Sequence, residues 1–137
     1  MIDLTDMLIR HEGLKLKPYR CTAGKLTIGV GRNLDDMGIT ENEARYLLEN
    51  DLGRIRLELD DALPWWRALD ATRQAVLLDV AFNLGLTRLM GFKKFLHALS
   101  HGDNLTAAAE LIDSEAARQC PRRYKELAAL LQMPVDA

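Results

Sequence analysis

The sequence predicts an α+β protein, mainly helical, with one small β-hairpin region near its N-terminus. Helical spacing of apolar residues covers most of the 137 residues, whereas period-two alternation is confined to residues 13–39. A long helical stretch, 40–62, follows that region and ends before Pro64. We therefore expect one domain, in which 13–39 form a β lobe, 40–62 a connecting helix and 63–137 a helical lobe on which helix 1–12 packs.

Composition and charge exclude several classes of protein. The 18 basic and 20 acidic residues give a net charge of −2, which argues against a non-specific nucleic-acid binder. Cys21 and Cys120 are too few for a disulfide scaffold, and with three histidines they do not complete a zinc site. We expect no metal, no cofactor, no nucleic-acid partner and no stable membrane insertion, and we expect a monomer. The acidic start, Met-Ile-Asp-Leu-Thr-Asp, predicts cytoplasmic synthesis without a signal peptide.

The first helix and the hairpin after it have clear local signals. Asp3 is a good N-cap for a helix over 3–12, and Gly13 suits the position just after its end. Glu12 then falls at the negative end of the helix dipole, which disfavours a carboxylate there. Alternation before and after a turn at 22–25 predicts two strands, and glycine within the second often marks close approach of a ligand or another backbone.

The rest of the chain is predicted to be a loop and then helices. Residues 32–39 read as a loop, and Thr40 with Glu43 forms a capping box that opens the long helix. Everything after Pro64 reads as helical. The predicted helices begin at Asp70 and end at Leu84, cover 92–101 and 104–115, and start again at Pro121, a residue favoured at the first helical position.

Three residues around the hairpin could carry chemistry. Glu12 has an ordinary interpretation as a solvated carboxylate, and a functional one as a general acid at a helix end. Cys21 is either a small buried hydrophobe or an activated thiol, with Arg20 favouring the thiolate. Thr27 is either a routine strand residue or a hydroxyl that orients water.

The order and spacing of these residues resemble a known family. Glu12, eight residues, Cys21, five residues and Thr27 resemble the Glu-x8-(Asp/Cys)-x5-Thr signature of phage-type lysozymes, glycoside hydrolase family 24. Five segments are similar to that family in the same order: 11–19 and 26–31, which include or flank the signature residues, Ile-Thr-Glu-Asn-Glu-Ala at 39–44, Val-Ala-Phe-Asn-Leu-Gly at 80–85, and Ser114, Gln119, Pro121 and Arg123 before the last helix.

The resemblance implies a lysozyme-like fold with a cleft between its lobes and cleavage of bacterial peptidoglycan. It implies hydrolysis of the β-1,4 bond between N-acetylmuramic acid and N-acetylglucosamine, with Glu12 protonating the glycosidic oxygen. It places Cys21 opposite the anomeric carbon, Thr27 beside a water and Arg123 near Glu12. Without a signal peptide, the enzyme would reach the periplasmic wall after release by a separate pore protein.

Departures from the family pattern leave several points open. Cys21 stands where T-even members have aspartate, so the stereochemical outcome of cleavage is undecided. Arg32 replaces a histidine, and Asn33 falls at a substrate-contacting position with its residue type changed; both are predicted to bind substrate. Phe82 matches a cleft-lining phenylalanine, with core packing as its alternative interpretation. The loop after Arg32 is short, so a trimmed β lobe is expected.

Other functions stay open at this point. They are a lytic transglycosylase, an inactive wall-binding relative, a small DNA-binding or adaptor module and a cysteine protease. Oxidation of Cys21 and Cys120 to a disulfide is a further hypothesis, since they are expected on opposite lips of the cleft. The basic run 118–125 is either a solvated face or a contact for anionic wall polymers.

Overall fold

A computed structural model describes residues 1–135 as two compact units. The first unit is Met1–Leu48, and the second begins at Glu49. The boundary falls within one helix of the chain. The fold class is the predicted one, mainly helical with a small antiparallel sheet.

The first unit contains one helix and a three-stranded sheet. Helix α1 (Leu4–Glu12) is capped as predicted: the Asp3 carboxylate accepts a hydrogen bond from the Asp6 amide at 3.2 Å, and the Gly13 amide donates to the Ile9 carbonyl at 2.8 Å. Strands β1 (Lys15–Arg20), β2 (Leu26–Gly29) and β3 (Arg32–Asn33) lie in that order, antiparallel throughout.

The sheet contains a strand that the sequence did not predict. Residues 32–39 were expected to be a loop, but β3 pairs with β2, Ile28 opposite Arg32 and Thr27 opposite Asn33. The prediction was wrong because a strand of two residues shows no alternation, and its pairing depends on the tight turn before it. Between β1 and β2 the register is irregular from Lys15 to Tyr19, an interval that includes Pro18, which has no amide hydrogen to donate.

Burial differs sharply between the two units. Among residues 1–48, all of them described, Thr27 is the one buried residue, at 4% exposure. The hydrophobic core lies in the second unit. Its largest fully buried apolar side chains are Trp66, Tyr124, Phe95, Leu59, Leu77, Leu89, Leu99, Leu111, Leu131, Val76 and Val80.

Helix α2 (Glu41–Ala62) begins at the predicted capping box. The Glu43 amide donates to the Thr40 hydroxyl at 3.1 Å, and the Thr40 amide donates to the Glu43 carboxylate at 2.9 Å. A short 3₁₀ turn (Trp66–Ala68) follows, and α3 (Ala71–Leu84) is capped by Asp70 and ends at Gly85, as predicted.

The later helices match the predictions with two differences. Helices α4 (Leu86–Gly91) and α5 (Lys93–Ser100) precede α6 (Asn104–Ile112), α7 (Glu115–Gln119) and α8 (Pro121–Leu131). Helix α4 had no separate prediction. The expected helix 104–115 ends at Ile112 instead, and a new helix begins at Glu115, where the Ser114 side chain accepts from the Ala117 amide at 3.1 Å and so caps it.

Candidate active site

Glu12 is the last residue of α1 and its side chain is exposed. Gly13 follows with φ +81°, which ends the helix and turns the chain toward β1. The carboxyl group reaches the turn between β2 and β3. A Cβ atom built on Gly31 would lie 3.0 Å from Glu12 Oε2 and 3.4 Å from Glu12 Cδ. Glu12 is therefore next to the sheet, at the end of the hairpin away from the β1–β2 turn.

Cys21 opens the turn between β1 and β2. Its backbone amide donates to the Lys25 carbonyl at 3.0 Å, and its carbonyl accepts from the Gly24 amide at 2.8 Å. The pKa of the Cys21 thiol is lowered from its ordinary value, chiefly by a hydrogen bond from the Lys25 backbone amide and then by one from the Ala23 amide. Arg20, the cation suggested by the sequence, donates instead to the Gly24 carbonyl at 3.1 Å and contacts Asp35 at 3.4 Å.

Thr27 lies beside Cys21 and is buried. Its hydroxyl donates to the Lys25 carbonyl at 2.9 Å, and its side chain also helps to lower the pKa of Cys21 by hydrogen bonding. Thr27 faces Tyr19 across the β1–β2 pair. The turn thus brings a thiol that ionises more readily than usual next to a fixed hydroxyl.

Arg32 and Asn33 have their polar atoms engaged within the first unit. The Arg32 guanidinium donates twice to the Glu43 carboxylate, both at 2.8 Å, and once to the Gly38 carbonyl at 3.2 Å. Asn33 donates to Asp36 Oδ2 at 2.9 Å and accepts from the Asp36 amide at 3.0 Å. Both side chains therefore hold the segment after β3 in place, and their contact with substrate stays a prediction.

Phe82 and Arg123 belong to the second unit. Phe82 is 44% exposed and lines a cavity of about 110 Å³ with Arg54 and Glu58. Arg123 donates to Asp79 Oδ1 at 2.7 Å and to the Asp79 carbonyl at 3.2 Å. The predicted approach of Arg123 to Glu12 stays a prediction, as does the substrate contact of Phe82.

Sequence reasoning missed Gly31 and Glu43 as parts of this site. A signal for Gly31 was present, because alternation in the sequence puts it in the predicted second strand, where glycine often marks a close approach. The structure places it in the β2–β3 turn, and the approaching group is the Glu12 carboxyl. Glu43 was read as a helix cap, which it is, but its ion pair with Arg32 could not be read from local spacing.

Residues 1–135 contain no group of three or more metal-ligating side chains in reach of one ion. No helix in the same residues is long and apolar enough to cross a membrane. Cys21 and Cys120 are both free thiols in this structure, and their oxidation to a disulfide stays a hypothesis.

A family model and individual proteins of known sequence match this chain, and they agree on the type of protein it resembles. The family model described as Phage lysozyme matches residues 9–129. The chain is 30% identical to an endolysin of Acyrthosiphon pisum secondary endosymbiont phage 1, over 77% of this chain and 73% of that protein. It is 27% identical to the probable T4-type lysozyme 2 of Dictyostelium discoideum, over 94% of this chain and 93% of that protein.

A third relative is much longer than this chain. The pre-baseplate central spike protein Gp5 of Enterobacteria phage T4 is 30% identical over 74% of this chain, but the match spans only 23% of the spike protein. The similarity therefore concerns one part of that protein.

Proposed function

Since this chain belongs to the phage lysozyme family, we propose that it is a muramidase acting on bacterial peptidoglycan. The bond cleaved is the β-1,4 bond between N-acetylmuramic acid and N-acetylglucosamine. The observation that carries the proposal is the exposed carboxyl of Glu12, held at the end of α1 against Gly31 in the same unit as Cys21 and Thr27.

Glu12 is proposed as the general acid. Glycoside hydrolysis requires a proton donor at the leaving oxygen and a second group on the opposite side of the anomeric carbon. Glu12 supplies the proton to the glycosidic oxygen as the bond to the anomeric carbon breaks. Its exposure leaves the carboxyl accessible to a polymeric substrate, and Gly13 ends the helix so that no further turn covers it.

Cys21 is proposed as the second group. Hydrogen bonds from the Lys25 and Ala23 amides favour its thiolate, which is the reactive form of a cysteine. The Cys21 thiolate can complete the hydrolysis by either of two routes. In one, Sγ attacks the anomeric carbon and forms a thioglycoside that water later hydrolyses; in the other, the thiolate takes a proton from a water that attacks directly.

Thr27 is proposed to orient water beside Cys21. Its hydroxyl donates to the Lys25 carbonyl while Cys21 is a thiol and can turn to donate to the thiolate; in either case the hydroxyl oxygen keeps lone pairs that can accept from water. Its burial at 4% exposure fixes the position of that oxygen. The same lone pairs are what a thiolate-activated water needs for alignment.

Lysis of outer-membrane-permeabilised Gram-negative cells tests the role of Glu12. We expect Glu12→Gln to lower the lysis rate about 100- to 10,000-fold, the range typical of a lost general acid. Glu41→Gln is the matched control, because Glu41 is an exposed residue of the same unit that pairs with Arg45 on the helix surface. Equal lysis by Glu12→Gln and wild type would contradict the proposed mechanism.

Variants of Cys21 test the second group. Cys21→Asp is expected to retain lysis, since it restores the residue that the family signature allows at this position, whereas Cys21→Ser is expected to lose it. Full activity in Cys21→Ser would show that the thiol is not needed. Mass spectrometry of the intact protein during turnover distinguishes the routes, because only the first leaves a sugar on Cys21.

Product analysis separates hydrolysis from the lytic transglycosylase alternative. A transglycosylase releases anhydro-muramyl ends that are one water lighter than hydrolysis products. We expect hydrolysed ends, because a thiolate beside Thr27 supplies the group that a water-dependent reaction needs. Predominantly anhydro ends would replace the muramidase by the transglycosylase.

A further inference from the structure

The β2–β3 turn approaches the Glu12 carboxyl more closely than any side chain would allow without adjustment. Gly31 is the residue in contact: a Cβ atom there would lie 3.0 Å from Glu12 Oε2, 3.4 Å from Cδ and 3.5 Å from Cγ. Three atoms of one side chain thus lie along the space that a residue other than glycine would fill.

Gly29, the last residue of β2, and Gly31, in the turn after it, have the same backbone conformation but different surroundings. Gly29 has φ +68° and Gly31 has φ +67°, and both values lie in the left-handed region that favours glycine. A Cβ atom on Gly29 would meet no atom within 4 Å. The backbone alone therefore accounts for glycine at 29, whereas at 31 the Glu12 side chain is a second reason.

The turn that carries Gly31 is held on both sides. Ile28 pairs with Arg32, and the Leu34 amide donates to the Leu26 carbonyl at 2.7 Å. The Arg32 guanidinium is in turn fixed by its two hydrogen bonds to Glu43. If a side chain is added at position 31, the exposed end of Glu12 moves more easily than the turn does.

We propose that Gly31 is a positioning residue for Glu12. Because position 31 in the β2–β3 turn has no side chain, the carboxyl of the general acid can occupy the space beside it. The proposal rests on the proposed function, in which Glu12 protonates the glycosidic oxygen. Gly31 does not need to touch substrate for this role. It acts by setting where the carboxyl can be.

This role separates stability from activity. The contact of a new methyl group with the tip of a flexible side chain is relieved by a shift of Glu12, which costs the fold little. Catalytic groups, however, must be held within about 0.5 Å of their productive position. A displacement of about 1 Å can cost about 100-fold in rate. A side chain at 31 should therefore impair the reaction more than it impairs folding.

Gly31→Ala and Gly29→Ala form the matched pair that tests the proposal. Both place alanine at a positive φ, so both should lower Tm by similar amounts. Only Gly31→Ala displaces Glu12. We expect its kcat per folded molecule to fall at least about 10-fold below that of Gly29→Ala, with KM for soluble peptidoglycan fragments changed less than 2-fold. Equal kcat in the two variants would overturn the proposal.

Asparagine at the same positions separates backbone strain from displacement. Asparagine tolerates positive φ better than alanine but has a larger side chain. If strain were the cause, Gly31→Asn would be more active than Gly31→Ala; displacement predicts that it is no better. Should Gly31→Ala fail to fold, Gly31→Asn is compared with Gly29→Asn in the same way. Recovery of activity with asparagine at 31 would refute the proposal.

The two proposals fail differently. If Glu12→Gln lyses cells as well as wild type, the proposed function is wrong, whatever Gly31 does. If Glu12→Gln is inactive while the alanine variants at 29 and 31 have equal kcat, Glu12 keeps its role and Gly31 is only a turn residue.

Discussion

The Arg32 guanidinium and the Glu43 carboxylate face each other with two hydrogen bonds of 2.8 Å, eleven positions apart in the chain. Glu43 also caps α2 through the Thr40 amide. One carboxylate therefore connects the start of β3 to the start of α2. A bidentate geometry of this kind needs the planar fork of arginine, so lysine is not an equivalent replacement at 32.

Acid is expected to weaken the first unit through Glu43. The Arg32 guanidinium, followed by the Thr40 amide, lowers the pKa of Glu43 from its ordinary 4.5 to about 2. Because the folded-state value lies below the unfolded one, the pair contributes fully above pH 4.5 and its contribution is lost as the pH falls toward 2. We expect Glu43→Gln to lower Tm at pH 6 and to flatten the decline of Tm between these limits.

The expected effect of Glu43→Gln is checked by measuring Tm from pH 6 to pH 2 by circular dichroism. Glu41→Gln serves as the control, since the pair of Glu41 with Arg45 is exposed and contributes little. A Glu43→Gln profile parallel to wild type would show that the Arg32 pair has no part in the acid response.

Cys21 is expected to be alkylated at lower pH in the folded protein than in the unfolded chain. The reason is the set of backbone amides that hydrogen-bond its thiolate, with Thr27 assisting. In a Cys120→Ser background, Cys21 is the only thiol. The rate of alkylation by iodoacetamide, measured as a function of pH, should therefore rise with a lower midpoint pH in buffer, where the protein is folded, than in urea, where it is unfolded. Adding Thr27→Val should raise the midpoint, and an identical midpoint in buffer and urea would contradict the account.

Arg73 is expected to be one of the most costly residues to replace. Its side chain is 2% exposed and pairs with Asp70 at 3.0 Å. It also donates to the backbone carbonyls of Leu131, at 2.7 Å, and of Met133, just after α8. Breaking a buried charge network costs about 3–5 kcal/mol, so we expect Arg73→Met to lower the free energy of unfolding by that amount.

Urea unfolding measures the effect of Arg73→Met. Arg118→Met is the control, because Arg118 pairs with Glu115 at 2.9 Å while both side chains are 64% exposed. An exposed pair contributes about 0–1 kcal/mol. The prediction fails if the two arginine variants lose the same stability.

Because the buried Tyr124 donates a hydrogen bond to Asn83, we expect Asn83→Ala to be less stable than Tyr124→Phe. The Tyr124 hydroxyl is buried with its ring at 0% exposure and donates to Asn83 Oδ1 at 2.6 Å. Asn83→Ala leaves that hydroxyl without this partner, which costs about 1–3 kcal/mol, whereas Tyr124→Phe removes the donor itself and costs about 1 kcal/mol. Thermal unfolding should rank Asn83→Ala as less stable; the reverse order would show that the bond does not anchor α8 to α3.

The candidate site was partly readable from the sequence. The spacing of Glu12, Cys21 and Thr27, together with the matched segments along the chain, carried the resemblance to the family, and the glycines of the predicted second strand indicated that something approaches it closely. What the sequence could not supply was the identity of the approaching group. Gly31 and Glu12 are brought together by the path of the chain through the whole sheet, not by their spacing.

Local chemistry determined where most helices begin and end. Caps at Asp3, Thr40 and Asp70, and proline at the first position of α8, act within four residues of the chain, so their effect can be read from the sequence alone. Only the tertiary structure decided the features that depend on partners far along the chain. Arg123 meets Asp79 across 44 positions because α3 and α8 pack together, and Gly31 meets Glu12 because the sheet returns the chain to the end of α1.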